Sequence, residues 1–114
     1  METPLSENLP STKGKKGRVR MPPDGQVITF VVEDEIQWMQ RNSEGKKLLV
    51  FQKMKFDDRE NHIELRFCYY VIGKKGGMKG KWVFGHFAPI APIEDLQAIF
   101  LEAMNRGWFS TLSS

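Results

Sequence analysis

The feature that most constrains the fold is a pair of β-prone segments joined by a short loop of glycine and lysine. In the first segment, residues 62–72, apolar residues alternate with other residues, which is the period-two pattern of a strand. The second segment, residues 81–87, is aromatic and follows the loop Gly73–Gly80. The loop is too short to hold a crossover helix, so we predict an antiparallel hairpin.

Three further segments predict the rest of the sheet. Residues 48–56 alternate like a strand that becomes half-solvated toward its end, and Gln26–Val32 is β-branched and aromatic without a break. The segment Glu33–Arg41 is ambiguous. Its apolar residues fit both the spacing of a continuing strand and that of a short helical turn, so both interpretations stay open.

A helix is predicted after Pro92, a residue suited to a first helical turn. Glu94 and Asp95 would lie near the positive end of the helix dipole, and Gly107 is placed to end the helix. The residues at spacings of three and four form one apolar face: Ile93, Leu96, Ile99, Phe100, Ala103 and Met104. We expect Trp108 and Phe109 to fold back onto the sheet or the helix.

Together these elements predict an α+β fold, in which a three- to four-stranded antiparallel sheet carries one C-terminal helix packed across it. Residues 1–24 contain several prolines and almost no large apolar side chain, so we predict a disordered basic arm. Residues 25–109 would form a single α+β domain, and residues 110–114 a frayed tail.

The composition favours a cytoplasmic protein. The only cysteine is Cys68, which excludes an internal disulfide and fits a reducing compartment. No apolar segment approaches the roughly 20 residues that span a bilayer, and the first 20 residues lack the apolar region of a secretory signal. We therefore expect no membrane partner.

The net charge of +3 is modest, but the cations are clustered. One acid-free cluster belongs to the predicted arm: Lys13, Lys15, Lys16, Arg18 and Arg20. A second belongs to the hairpin loop: Lys74, Lys75, Lys79 and Lys81. The acidic residues gather elsewhere, so the surface is expected to have basic and acidic regions.

The second basic cluster lies beside aromatic residues, a combination that suits single-stranded nucleic acid. We predict phosphate contacts from Lys74, Lys75, Lys79 and Lys81, with help from Arg66, and base stacking on Tyr70 and Trp82. Lys15, Lys16, Arg18 and Arg20 would add affinity without sequence preference. The competing interpretation is a solubilising loop whose neighbouring rings belong to the core. Tyr69 is assigned to the core, because it shares a strand face with Phe67 and Val71.

Catalysis and metal binding form an alternative class with few candidate residues. His62, His86 and Cys68 are the soft ligands, and their spacing matches no zinc motif. Cys68 lies in an apolar strand, where a lone cysteine usually behaves as a small hydrophobe. We therefore expect no metal, no cofactor and no catalytic site, while an enzyme using Cys68 or a carboxylate stays a third option.

Protein interaction is the main alternative to nucleic-acid binding. Trp38, Trp82, Trp108 and Phe109 are many large rings for a small domain, and aromatic residues are enriched at interfaces. A homodimer, formed about a two-fold axis by a sheet edge or by the terminal helix, is one such arrangement.

One resemblance points the same way as the basic clusters. Leu65-Arg66, Tyr69-Tyr70, Gly77-Met78-Lys79 and Pro92-Ile93-Glu94-Asp95 follow each other in an order that is similar to the positive cofactor four family of transcriptional coactivators. That resemblance covers at most about 35 residues and implies binding of single-stranded DNA. The chain departs from the family pattern at residues 82–87, which add an aromatic run.

Overall fold

The computed structural model describes residues 9–85 and 88–109, apart from the side chain of Met21. They form a curled, antiparallel five-stranded sheet with one helix. The strands neighbour each other in chain order: β1 (Lys16–Met21), β2 (Gln26–Met39), β3 (Lys47–Phe56), β4 (Ile63–Ile72) and β5 (Trp82–Phe84). Helix α1 (Ile93–Asn105) follows, so the predicted α+β class and C-terminal helix are confirmed.

The predicted three to four strands are one too few, because β1 lies within the segment that we expected to be disordered. Lys16 is paired with Val31, and the pairing continues to the end of β1. The absence of a side chain at Gly17 makes room for the ring of Phe30, because a Cβ at residue 17 would stand only 2.5 Å from that ring. Within the predicted arm, residues 1–8 lie outside the described residues, as does the predicted tail 110–114.

The ambiguous segment Glu33–Arg41 belongs to a strand as far as Met39. Strand β2 passes through an irregularity between Val32 and Asp34, where one extra residue shifts the register against β3. The extra residue moves the side-chain alternation by one position, so Ile36 and Trp38 share a face with Val31. This bulge is why neither a simple strand pattern nor a helical one fits the sequence.

One face of the sheet, here called the helix face, packs against α1. Ile36, Leu49, Phe51 and Tyr69 meet Ile99 and Ala103 of the helix. Trp108 is buried in the same cluster, which confirms that it folds back after the helix, and Tyr69 is a core residue as predicted. Only part of the predicted apolar helix face is buried: Ile99 and Ala103 are buried, whereas Ile93, Phe100 and Met104 are exposed.

Asp95 joins the start of α1 to the end of β2. Its carboxylate is fully buried and accepts hydrogen bonds from Trp38 Nε1 at 3.2 Å, Arg41 N at 2.9 Å and Arg41 Nε at 2.8 Å. Burial raises the pKa of Asp95, but the hydrogen bonds from the two Arg41 donors and the Trp38 indole together lower it by more. The pKa of Asp95 therefore lies below its ordinary value.

The opposite face, here called the strap face, carries a second apolar layer. Strand β3 contributes Leu48, Val50, Met54 and Phe56, which are buried. A short segment, Leu9–Lys13, crosses this face and is called the strap. Leu9 packs against the cluster of Leu48, Val50 and Cys68.

Helix α1 has 13 residues. Within residues 9–85 and 88–109, no helix has the length and the apolar character needed to cross a membrane.

Candidate nucleic-acid interface

The loop between β4 and β5 forms a basic corner at one end of the sheet. Its four predicted phosphate ligands, Lys74, Lys75, Lys79 and Lys81, are all exposed. Lys74 and Lys79 line a depression of about 590 Å³ together with Lys46 and Lys47 at the start of β3. Val71 and Ile72 are also in its wall. The depression therefore combines lysine side chains from two chain segments with an apolar surface.

The backbone of the loop is shaped by its glycines. Gly73 donates a hydrogen bond to the carbonyl of Lys81 at 2.8 Å and accepts one from Gly80 at 2.9 Å. Residues 76–78 form a single 3₁₀ turn, entered through Gly76 at a φ of 62°. These contacts fold the loop tightly and hold Lys79 beside the β4 end.

Lys46 and Lys47 also line the candidate site, although they were not among the residues predicted from the sequence. Lys47 Nζ donates to the carbonyl of Ile90 at 2.8 Å and lies 5.0 Å from the ring centre of Tyr69, which fixes its position. Lys46 Nζ lies 3.7 Å from the exposed carboxylate of Glu44. The pairing of Lys47 with Val71 brings these lysines to the loop, and that register was not predictable from either segment alone.

Arg66, Tyr70 and Trp82 lie on the strap face. Tyr70 and Trp82 are partly buried against the cluster of Leu48, Val50 and Cys68, and the Tyr70 ring meets Phe84 edge-on at 5.4 Å. Burial raises the pKa of Tyr70. The Tyr70 ring is thus less open than a stacking role requires. Trp82 Nε1 is buried and has no hydrogen-bond partner within the described part of the chain.

The cations of β1 lie far from the basic corner. Because Lys16, Arg18 and Arg20 are paired with Val31, Thr29 and Val27, their side chains are on the helix face. They occupy the opposite edge of the sheet and the opposite end of the strands from the β4–β5 loop. The structure therefore does not bring the two predicted basic segments into one patch.

A polar network holds the strap to the sheet. The carboxylate of Glu35 accepts hydrogen bonds from Ser11 Oγ at 2.5 Å, Thr12 N at 3.1 Å and Thr12 Oγ1 at 2.8 Å. The amide nitrogen of Gln52 donates to Thr12 Oγ1 at 2.9 Å, while its oxygen accepts from Arg66 Nε at 2.7 Å. Arg66, predicted to contact phosphate, is therefore a neighbour of the strap.

The catalytic and metal alternatives gain no support from the geometry. Burial raises the pKa of the Cys68 thiol to about 11, so the thiolate is scarce at neutral pH.

His62 is buried, with Nδ1 2.5 Å from Asp58 and Nε2 2.6 Å from Glu64, so both ring nitrogens are engaged. These bonds, first to Glu64 and then to Asp58, raise the pKa of His62. The described residues contain no metal-binding group of His, Cys, Asp and Glu, and His86 lies outside them.

Comparison with known proteins gives no match: neither a protein-family model, nor a curated protein, nor a solved structure is significantly similar to the chain. The resemblance to the coactivator family stays a prediction based on the layout of residues 65–95.

Proposed function

We propose that this protein is a non-enzymatic, cytoplasmic domain that binds single-stranded nucleic acid at the basic corner. The observation that carries the proposal is the depression lined by Lys46, Lys47, Lys74 and Lys79. Lysines placed around one concave surface can contact successive phosphates of a flexible strand, and each contact releases a counterion. Lys75 and Lys81, exposed on the same loop, would extend the phosphate track.

Single strands fit this corner better than a duplex. Among residues 9–85 and 88–109, the lining of the corner includes no residue of α1, which packs against the helix face, so the corner presents no helix to a major groove. Its apolar wall, Val71 and Ile72, suits unstacked bases or sugars. Affinity would come from charge and from shape, so we expect weak sequence preference and strong salt dependence.

The double variant Lys74→Gln/Lys79→Gln is expected to weaken binding of a labelled oligothymidine by about tenfold or more at low salt. Fluorescence anisotropy at several salt concentrations measures both the affinity and its salt slope. Losing two phosphate contacts should reduce the slope of log K against log salt by about 1.4, since each contact on a single strand contributes roughly 0.7.

The control is Arg18→Gln/Arg20→Gln, which removes the same charge from the opposite corner of the sheet. We expect it to cost less than about threefold, because only long-range attraction is lost. Equal losses in the two variants would show that net charge, and not the basic corner, sets the affinity. Absence of binding by the unmodified protein at about 20 mM salt would end the proposal.

A second candidate function, self-association, is favoured by the outer side of α1. Ile93 is 76% exposed and Met104 61%, and Phe100 and Leu101 on the same side are about half exposed. A contiguous apolar patch on a surface helix is typical of an interface. Two copies of α1 packed antiparallel about a two-fold axis would place Ile93 of one beside Met104 of the other, so the stripe is complementary to itself.

If α1 forms such a dimer, Ile93→Gln/Met104→Gln is expected to convert it to a monomer, with little effect on folding because both side chains are exposed. Sedimentation equilibrium at high salt measures the mass without contributions from charge. Gln97→Glu, on the same stripe, tests the geometry by placing two carboxylates near the two-fold axis. A monomeric unmodified protein at all concentrations would contradict this candidate.

A further inference from the structure

The strap lies across the strap face from the β3–β4 side to β2, and the surface beneath it is here called the groove. Its N-terminal end, Leu9, packs in the apolar cluster that also includes Tyr70 and Trp82. Its other end leads to Gly14, whose N–H donates to the carbonyl of Val32 at 2.7 Å just before β1. The groove therefore begins beside the β4–β5 loop and ends near Lys13 and Lys15 at the far edge of the sheet.

The floor of this groove contains polar groups that the sheet itself does not need. Gln52 is fully buried on a strand face otherwise formed by Leu48, Val50, Met54 and Phe56. A buried amide must be hydrogen-bonded to avoid a desolvation cost, and the partners of Gln52 are Thr12 of the strap and Arg66. An apolar residue at this position would serve packing alone, so the amide indicates that the groove is built to hold a polar, extended segment.

The strap is attached by side chains and not by strand pairing. Its anchors are the three bonds from Ser11 and Thr12 to Glu35, the bond from Gln52, a hydrogen bond from Gln37 to the carbonyl of Pro10, and the packing of Leu9. A segment without backbone ladder bonds opens at lower cost than a strand, because local stability follows the number of buried contacts.

The end of the strap packs against the same buried cluster as the rings that suit base stacking. Leu9 shares the cluster with Tyr70 and Trp82, and the buried Trp82 Nε1–H has no partner among the described residues. Trp82 directly follows Lys81 in the chain, so this cluster lies beside the basic corner. Displacement of the strap would leave Glu35 and Gln52 without their strap partners. Bases would replace those partners, with amino groups that donate to Glu35 and ring or carbonyl atoms that accept from Gln52, and their flat faces would stack on the rings.

We propose that the groove beneath the strap is the path of the single-stranded nucleic acid, and that the strap occupies it in the free protein and is displaced on binding. This inference rests on the proposed function. Bases enter the groove while phosphates stay on its rim, because the Glu35 carboxylate in the floor repels them. The strand connects the basic corner to Lys15, an exposed cation that lies just beyond the strap at the far edge of the sheet. The strap acts as an internal competitor that lowers the apparent affinity.

The test uses the full chain with the anchors removed, Leu9→Gly/Ser11→Gly/Thr12→Gly, which leaves the charge unchanged. Strap release is read without nucleic acid as the labelling rate of Cys68, the only cysteine, which is buried in the cluster against which Leu9 packs. We expect faster labelling together with tighter binding of oligothymidine. If the strap is closed nine-tenths of the time, the gain is roughly tenfold. Pro10→Ala keeps the carbonyl that Gln37 contacts, and should change neither readout.

Four results decide between the two proposals. Faster labelling with tighter binding supports the strap as a competitor. Faster labelling without tighter binding overturns the groove as the path and leaves the basic corner as the site. Unchanged labelling means that the strap does not seal the groove, which also overturns the inference. Failure of both proteins to bind removes the proposed function and this inference with it. If the triple variant does not fold, as judged by circular dichroism, Thr12→Val provides the same comparison with fewer anchors removed.

Discussion

Replacement of Asp95 by alanine is expected to lower the free energy of unfolding by about 3 kcal/mol. The carboxylate is fully buried and is the acceptor for the Trp38 indole and for two N–H groups of Arg41. Removing it leaves the Trp38 and Arg41 backbone donors without a partner and takes a negative charge from the first turn of α1. Urea unfolding followed by tryptophan fluorescence measures the change.

Glu94→Ala is the matched control for Asp95→Ala. Both carboxylates lie in the first turn of α1, but Glu94 is exposed, so its loss should cost less than about 0.5 kcal/mol. A comparable loss in the two variants would show that the helix dipole, and not the buried hydrogen bonds, accounts for the effect.

The pH dependence of stability has a defined sign at Asp95. Its pKa in the folded protein is below the ordinary value, so its contribution to stability is complete above the unfolded pKa of about 3.9 and is lost as the pH falls through the folded pKa. Asp95→Ala should therefore reduce the stability difference between neutral and strongly acidic solution.

The sequence was most informative where side-chain periodicity and local chemistry agree. Pro92, Glu94 and Asp95 mark the start of a helix, and α1 begins at Ile93. The alternation of residues 62–72 predicted a strand, because successive side chains of a strand point to opposite faces of the sheet, and β4 spans Ile63–Ile72. β5 was predicted as residues 81–87, of which residues 82–84 form the strand and residues 86 and 87 lie outside the described residues.

Strand β1 shows why composition alone misjudges an edge strand. Its sequence, KGRVRM, carries cations on one side, and only Val19 among its described side chains packs against the apolar cluster on the other. The strand exists because β2 extends far enough to pair with it, a tertiary cause that a local window does not contain. Cations on an edge strand also protect it from pairing with other chains.

The candidate site was only partly predictable for a similar reason. The lysines of the loop are adjacent in sequence, so their exposure and clustering followed from composition. By contrast, Arg66, Tyr70 and Trp82 share a face with the strap only because of the register between the strands and the path of residues 9–13, and neither is visible in a local stretch of sequence. The bulge near Glu33 then places Glu35 and Gln37 under the strap, and no period-two reading that starts at Gln26 gives that result.

The architecture of the basic corner depends on one glycine, so Gly73→Ala is expected to destabilise the protein by about 1–3 kcal/mol. A Cβ at residue 73 would stand 2.2 Å from the carbonyl oxygen of Met78. Because that atom belongs to the backbone, the loop must move, and the hydrogen bonds that link Gly73 to Gly80 and Lys81 are strained or lost. Displacement of Lys79 should also weaken oligothymidine binding, which anisotropy measures beside urea unfolding.

Gly77→Ala provides the comparison within the same loop. A Cβ at residue 77 has no heavy atom within 4 Å, and Gly77 does not have a positive φ. The substitution should therefore leave the fold unchanged or stabilise it by less than about 1 kcal/mol through the unfolded chain. If binding requires the tight loop, Gly73→Ala weakens it and Gly77→Ala does not. Equal binding by both variants, with the expected loss of stability in the first alone, would mean that the lysines act as loosely tethered charges and that the depression contributes no shape.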